Sequence, residues 1–105
     1  MRRSVGDVAS FVVETYVPSA DQERFAAEID GIRDASAVVV VGDGIVHHVR
    51  SYLVPADEMG FHVHDAEHIE DVTRVVGLAG IETERIVEAI GIRDRPERGE
   101  RTRIE

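Results

Sequence analysis

The sequence predicts an α+β fold in the order βαββαβ: a ferredoxin-like, four-stranded antiparallel sheet with two helices on one face, of the kind that pairs into dimeric α/β barrels. Three observations predict it. Residues 9–17 and 85–90 alternate apolar and polar side chains with the period of a strand. Residues 45–66 read as two strands folded back on each other. Two stretches with helical apolar spacing separate these blocks.

Residues 1–8 are expected to be a flexible lead-in, since Arg2, Arg3, Gly6 and Asp7 offer nothing to bury. In residues 9–17, Phe11, Val13, Thr15 and Val17 make one face, and Val12, Glu14 and Tyr16 the other. Pro18 stops the strand, because proline cannot donate to a ladder. Ser19 then caps a helix, Gln22 three residues on completes a capping-box pattern, and Phe25, Ile29 and Ile32 form the apolar stripe of a helix running to about Arg33. Residues 36–41 are β-branched and strand-like, either a separate strand or the kinked start of the next, and Gly42-Asp43-Gly44 is a turn or bulge. The hairpin follows, with residues 45–53 facing residues 59–66 across Val54-Pro55-Ala56-Asp57-Glu58. In the register expected for it, His48 lies opposite His64 and Arg50 opposite His62, with Tyr52 on the same side. Val49, Ser51, Leu53, Phe61 and Val63 then face the core. Residues 67–80 read as a second helix, with Ile69, Val72, Val76 and Ala79 at core spacing, acids in the first turn and Gly80 at its end. Residues 85–90 are the last strand. The domain spans 9–91, and residues 92–105 are a mixed-charge tail expected to be disordered.

A chain of 105 residues is one domain. It has no cysteine, hence no disulfide, thiolate metal site or Cys nucleophile. No apolar run is long enough to span a membrane, and Met1-Arg2-Arg3 leads into no signal region, so a cytoplasmic location is expected. The net charge of −9 argues against nucleic-acid partners, since a phosphate backbone is repelled by such a surface. All twelve basic residues are arginine, which reads as codon bias rather than chemistry.

Four of the five histidines fall in residues 45–66. On the expected register His48, His62 and His64 share the open sheet face with Arg50 and Tyr52, joined there by Val12, Glu14 and Tyr16 from the first strand and Glu88 from the last. His-x-His on one strand face lets two imidazoles reach one ion, so His48, His62 and His64, assisted by Glu14 or Glu88, are candidate ligands for nickel, zinc or copper. The plainer alternative has them as interface histidines bonded to Glu and Tyr. His47 points toward the core or its edge, and His68 is a first-turn residue of the second helix. An uncovered face carrying Tyr and Val among charges fits a second copy, so a homodimer through that face, lining a polar cavity with Tyr16, Arg50 and Tyr52, is expected. Glu14 or Glu88 near His48, with Arg50, also suits proton-transfer chemistry or an ion-pair network. No nucleophile elbow, phosphate loop or dinucleotide fingerprint is present, which sets aside hydrolase, kinase and dehydrogenase readings.

Phe11-Val12-Val13-Glu14 with Pro18 after it, Val49-Arg50-Ser51-Tyr52 before the acidic turn, Gly60-Phe61-His62-Val63-His64-Asp65-Ala66, and Ala79-Gly80-Ile81 through Arg85-Ile86-Val87-Glu88 together resemble a small bacterial ferredoxin-like family of unknown function with nickel-binding members. The likeness covers about residues 11–90. It departs from the family pattern at His62, where a Cys often stands, at His48, where an aromatic stands, and at Val75, where a His stands. The resemblance implies a homodimeric protein that binds a divalent transition metal, nickel first, in a binding or sequestration role rather than as an enzyme. The alternative is a cofactor-free monooxygenase or isomerase of the dimeric α/β-barrel type.

Overall fold

A computed structural model describes residues 8–42 and 44–92, with the side chain of residue 41 left aside; the expected lead-in and tail lie almost wholly outside the described residues. Six principal elements follow in order: β1 (Ala9–Tyr16), α1 (Gln22–Val41), β2 (Val46–Val54), β3 (Met59–Ala66), α2 (Ile69–Leu78) and β4 (Arg85–Ala89). The sheet order is β2-β3-β1-β4 with every pairing antiparallel. This is the expected ferredoxin-like arrangement. Short 3-10 turns at Pro18–Ala20 and Pro55–Asp57 follow β1 and β2. Among the described residues no helix is long and apolar enough to cross a membrane.

The helices cover the sheet face that carries Phe11 and Val13, and the core joins these to Ile32, Ala35 and Val39 of α1, Val46 of β2, Ala66 of β3, and Val72, Val75 and Val76 of α2. Val75, where the resembled family carries a His, is fully buried here.

Three features of α1 differ from expectation. Its N-cap is Asp21, whose carboxylate accepts from the Arg24 amide at 3.1 Å, while Ser19 sits in a left-handed turn at φ 61°. Ile29 is only half-buried. The helix also runs through to Val41, absorbing residues 36–41 that read as strand. Ile32, Ala35, Ser36 and Val39 are buried at helical spacing, whereas Val38 and Val40 are exposed, so the apolar stripe continues with period 3.6 and outweighs the β preference of the valine run. Ser36 Oγ donates back to the Ile32 carbonyl at 2.7 Å, which satisfies its hydroxyl inside the helix.

The hairpin is the second difference. His48 does lie opposite His64, but Arg50 pairs with Val63 and Ser51 with His62, because a β-bulge at Val49 shifts the register between His48 and Arg50. The pairing of β3 with β1 sets Phe11 beside His64 and Val13 beside His62. The even-numbered side of β3, Gly60, His62, His64 and Ala66, therefore faces the helices, and Phe61 and Val63 face outward. This reverses the expected orientation. A Cβ at Gly60 would run into the Phe25 ring and lie 2.9 Å from Thr15 Oγ1, so glycine there lets α1 approach the sheet.

Candidate functional site

The reversal moves the histidines from the open face into the layer beneath α1. His62 and His64 are both 0% exposed and His48 is half-buried. His62 Nε2 lies 3.0 Å from Glu28 Oε1, and its Nδ1 lies 2.7 Å from Ser51 Oγ. Ser51 Oγ in turn lies 2.8 Å from His48 Nε2. Thr15 Oγ1 donates to the same Glu28 oxygen at 3.2 Å, and the Phe25 ring stacks on His62 with centroids 4.8 Å apart. One continuous chain of hydrogen bonds thus joins Glu28 on α1, His62 on β3, and Ser51 and His48 on β2.

The bulge makes the last link. His48 and Ser51 are three residues apart, and in a regular strand they would point to opposite faces. With Val49 bulged, both project toward α1.

With one proton on His62 the chain runs one way: a carboxylate only accepts, so Nε2 carries the proton toward Glu28, Nδ1 accepts from the Ser51 hydroxyl, and the Ser51 oxygen accepts from His48 Nε2–H. Every member holds the next in place. Burial lowers the His48 pKa from its ordinary value, with His62 and Arg33 adding to the effect.

His64 stands apart from the chain. Its ring centre is 5.5 Å from that of His48, yet neither of its nitrogens has a hydrogen-bond partner among the described residues. Burial above all, and then the neighbouring His48 and His62, lower its pKa to about 4.

The remaining predicted residues occupy other places. Glu14 lies on the open face in an ion pair with Arg85 at 3.0 Å, on the opposite side of the sheet from His62. Glu88 pairs with Phe11 in register and so points to the helix side of edge strand β4, correcting its assignment to the open face. Tyr16 and Tyr52 are about half exposed on the open face; Tyr16 donates to Glu58 at 3.0 Å and Arg50 donates to the Tyr52 hydroxyl at 3.3 Å. His47, expected at the core or its edge, is exposed opposite Asp65, and His68 is the N-cap of α2.

The donor arrangement does not fit a metal site as folded. Both nitrogens of His62 and one of His48 are engaged by Ser51 and Glu28, Glu14 lies across the sheet, and no group of three His, Asp or Glu residues converges on one point among the described residues. Sequence reasoning missed Glu28, Ser51 and Thr15. The signal was there: Glu28 interrupts the apolar stripe of Phe25 and Ile32, and Thr15 sits in the apolar row of Phe11, Val13 and Val17.

A groove of about 380 Å³ lies beside this chain, between α1 and β2, walled by Phe25, Ala26, Ile29, Leu53 and Pro55, with Gln22 at its rim and Ser51 opening into it. A second cavity of about 630 Å³ on the other flank of α1 is bounded by Glu28, Tyr16, Arg24 and the segment leading into β4. His62 lines neither and is fully buried, but it bonds to Ser51 of the first and to Glu28 of the second.

No protein-family model and no curated protein matches the chain. Among solved structures, the crystal structure of SCO4226 from Streptomyces coelicolor A3(2) is similar to it, with a TM-score of 0.53 and 23% identity over 77% of this chain and 95% of that one. That likeness shows the shared fold.

Proposed function

We propose that this protein is an acid–base enzyme acting on a small organic molecule bound in the groove between α1 and β2. One observation carries the reading: the hydrogen-bond chain from Glu28 through His62 to Ser51 ends on a side chain that opens into an apolar groove. In this reading His62 accepts a proton through Nδ1, and Glu28, bound to Nε2, stabilises the imidazolium that forms and fixes the ring. Phe25 shields the ring from water, which strengthens both interactions. His48 orients the Ser51 hydroxyl from its other side.

The test is a turnover screen of carbonyl and ester compounds with untagged protein in the presence of a chelator, alongside the His62→Gln and Glu28→Gln variants. Turnover that falls about 100-fold or more in His62→Gln is expected, and substrate-induced NMR shifts should centre on Phe25, Ser51 and Leu53. Stoichiometric nickel, zinc or copper on protein purified without chelator, lost in His48→Ala and His64→Ala, would overturn the reading in favour of metal binding.

A further inference from the structure

We propose, against the exclusion of hydrolases drawn from the missing nucleophile elbow, that Ser51 is a nucleophile, and that the protein transfers or hydrolyses the acyl group of an ester or thioester whose acyl chain is short and apolar. The inference rests on the acid–base reading above and assigns its substrate class.

Three observations converge on Ser51. Its oxygen lies 2.7 Å from a histidine nitrogen whose ring is held on its other side by a carboxylate, the order of groups that activates a hydroxyl for attack. The two ring nitrogens exchange roles relative to the serine-protease arrangement, Nδ1 facing the hydroxyl and Nε2 the carboxylate, which leaves the proton path unchanged. Ser51 is also the member of the chain that borders the groove, where Phe25, Ile29, Leu53 and Pro55 present an apolar wall and a volume of about 380 Å³. That wall suits a short hydrocarbon chain and, among the described residues, offers no cation for a phosphate. Finally, His48 Nε2 lies 2.8 Å from Ser51 Oγ, so a second imidazole holds the hydroxyl from the side away from His62 and would be the nearest donor to an oxyanion formed next to Oγ.

The step balances without a further reagent. Ser51 Oγ bonds to the acyl carbon while its proton moves to His62 Nδ1. The bond from the acyl carbon to the leaving oxygen or sulfur then breaks, and His62 returns the proton to that atom, releasing an alcohol or thiol. Water enters, gives a proton to His62 Nδ1 and attacks the Ser51 ester. The carboxylic acid departs as the proton returns to Ser51 Oγ.

The experiment uses p-nitrophenyl acetate and an alkyl fluorophosphonate with the full chain, read by intact mass and peptide mapping. One acetyl or phosphonyl adduct per chain on Ser51 is expected, absent in Ser51→Ala and formed at least about 100-fold more slowly in His62→Gln. Because Ser51→Ala removes a partner from two imidazoles, Ser51→Cys provides a second line. The chain has no cysteine, so this thiol is the only one present. Its alkylation by iodoacetamide should continue well below pH 8 and shift toward ordinary thiol behaviour when Glu28→Gln is added. An adduct on another residue, or no adduct together with an ordinary alkylation profile for Ser51→Cys, overturns the proposal. Metal-independent turnover retained in Ser51→Ala overturns the nucleophile alone and leaves the acid–base reading standing, whereas absence of both turnover and adduct removes both.

Discussion

His62 and His64 stand two residues apart on the same face of β3, both fully buried under the helices, yet among the described residues one has a partner for each ring nitrogen and the other has none. Position along the strand does not explain the difference. His62 lies where α1 brings Glu28 and Phe25 over the sheet and where the bulge in β2 turns Ser51 inward; His64 lies one strand step further on, beside Phe11 and His48. A buried imidazole is therefore an integrated part of a network at one position and an uncompensated polar group at the next. The two should respond in opposite directions to the same substitution.

The largest expected effect is His62→Leu. It removes the donor to a Glu28 carboxylate that is only 12% exposed and the acceptor for Ser51, leaving both underbonded under α1. A loss of about 4 kcal/mol in unfolding free energy at neutral pH is expected, read from urea denaturation. A loss under 1 kcal/mol would mean that water replaces the ring at no cost and that the two histidines are equivalent.

Acid should sharpen the contrast. His64 has a pKa of about 4 against an ordinary 6.5, so in the unfolded chain it takes up a proton well before the folded protein allows it. Stability linked to this group is complete above about pH 6.5, falls as pH drops through that value, and is fully lost below about pH 4, a total of about 3 kcal/mol. The groups that bear on it are His48 and His62, which oppose its protonation, and Asp65, which favours it. The His48 pKa is also lowered and gives the same sign. Urea titrations from pH 7.5 to 4.5 on the wild type and on His64→Leu should differ in slope across this window. Parallel curves would show that His64 protonates as freely folded as unfolded.

Gly60→Ala probes the support of the His62 side. The added Cβ meets the Phe25 ring, which cannot move without lifting off His62. A cost of about 2 kcal/mol is expected, together with a change in the ring-current shift of the His62 protons.

The fold was legible because its signals are local: the alternation of β1, the stop at Pro18, the apolar spacing of α2 and the loop at Pro55 each act within a few residues. The cross-strand pairing of His48 with His64 was legible for the same reason. Which face of β3 turns inward was not, since Phe61 and Val63 make as good an inner row as His62 and His64 until partners from other elements are known. Those partners, Glu28 and Ser51, are 34 and 11 residues away from His62 in the chain, and Ser51 reaches it only through the bulge at Val49; the breaks that Glu28 and Thr15 make in their apolar rows mark polar positions but not what they meet. The run at residues 36–41 misled for a different reason: its valines favour a strand individually, but Ile32, Ala35 and Val39 can join one buried stripe only if the helix continues.

The smallest effect is also the most discriminating. His64→Leu replaces a buried ring with two unpartnered nitrogens by an apolar side chain of similar volume, between Phe11 and His48. Removing an unsatisfied polar group from such a place is stabilising, so a gain of about 1 kcal/mol at neutral pH is expected in urea denaturation, growing as pH falls because the wild type loses the linked contribution and the variant does not. A loss at neutral pH would mean that the His64 nitrogens are held in solution by a group outside the chain's own residues, such as ordered water or a bound ligand. The contrast between the two histidines would then be one of partner type, protein at His62 and solvent or ligand at His64, and the layer beneath α1 would extend as a binding site past His48.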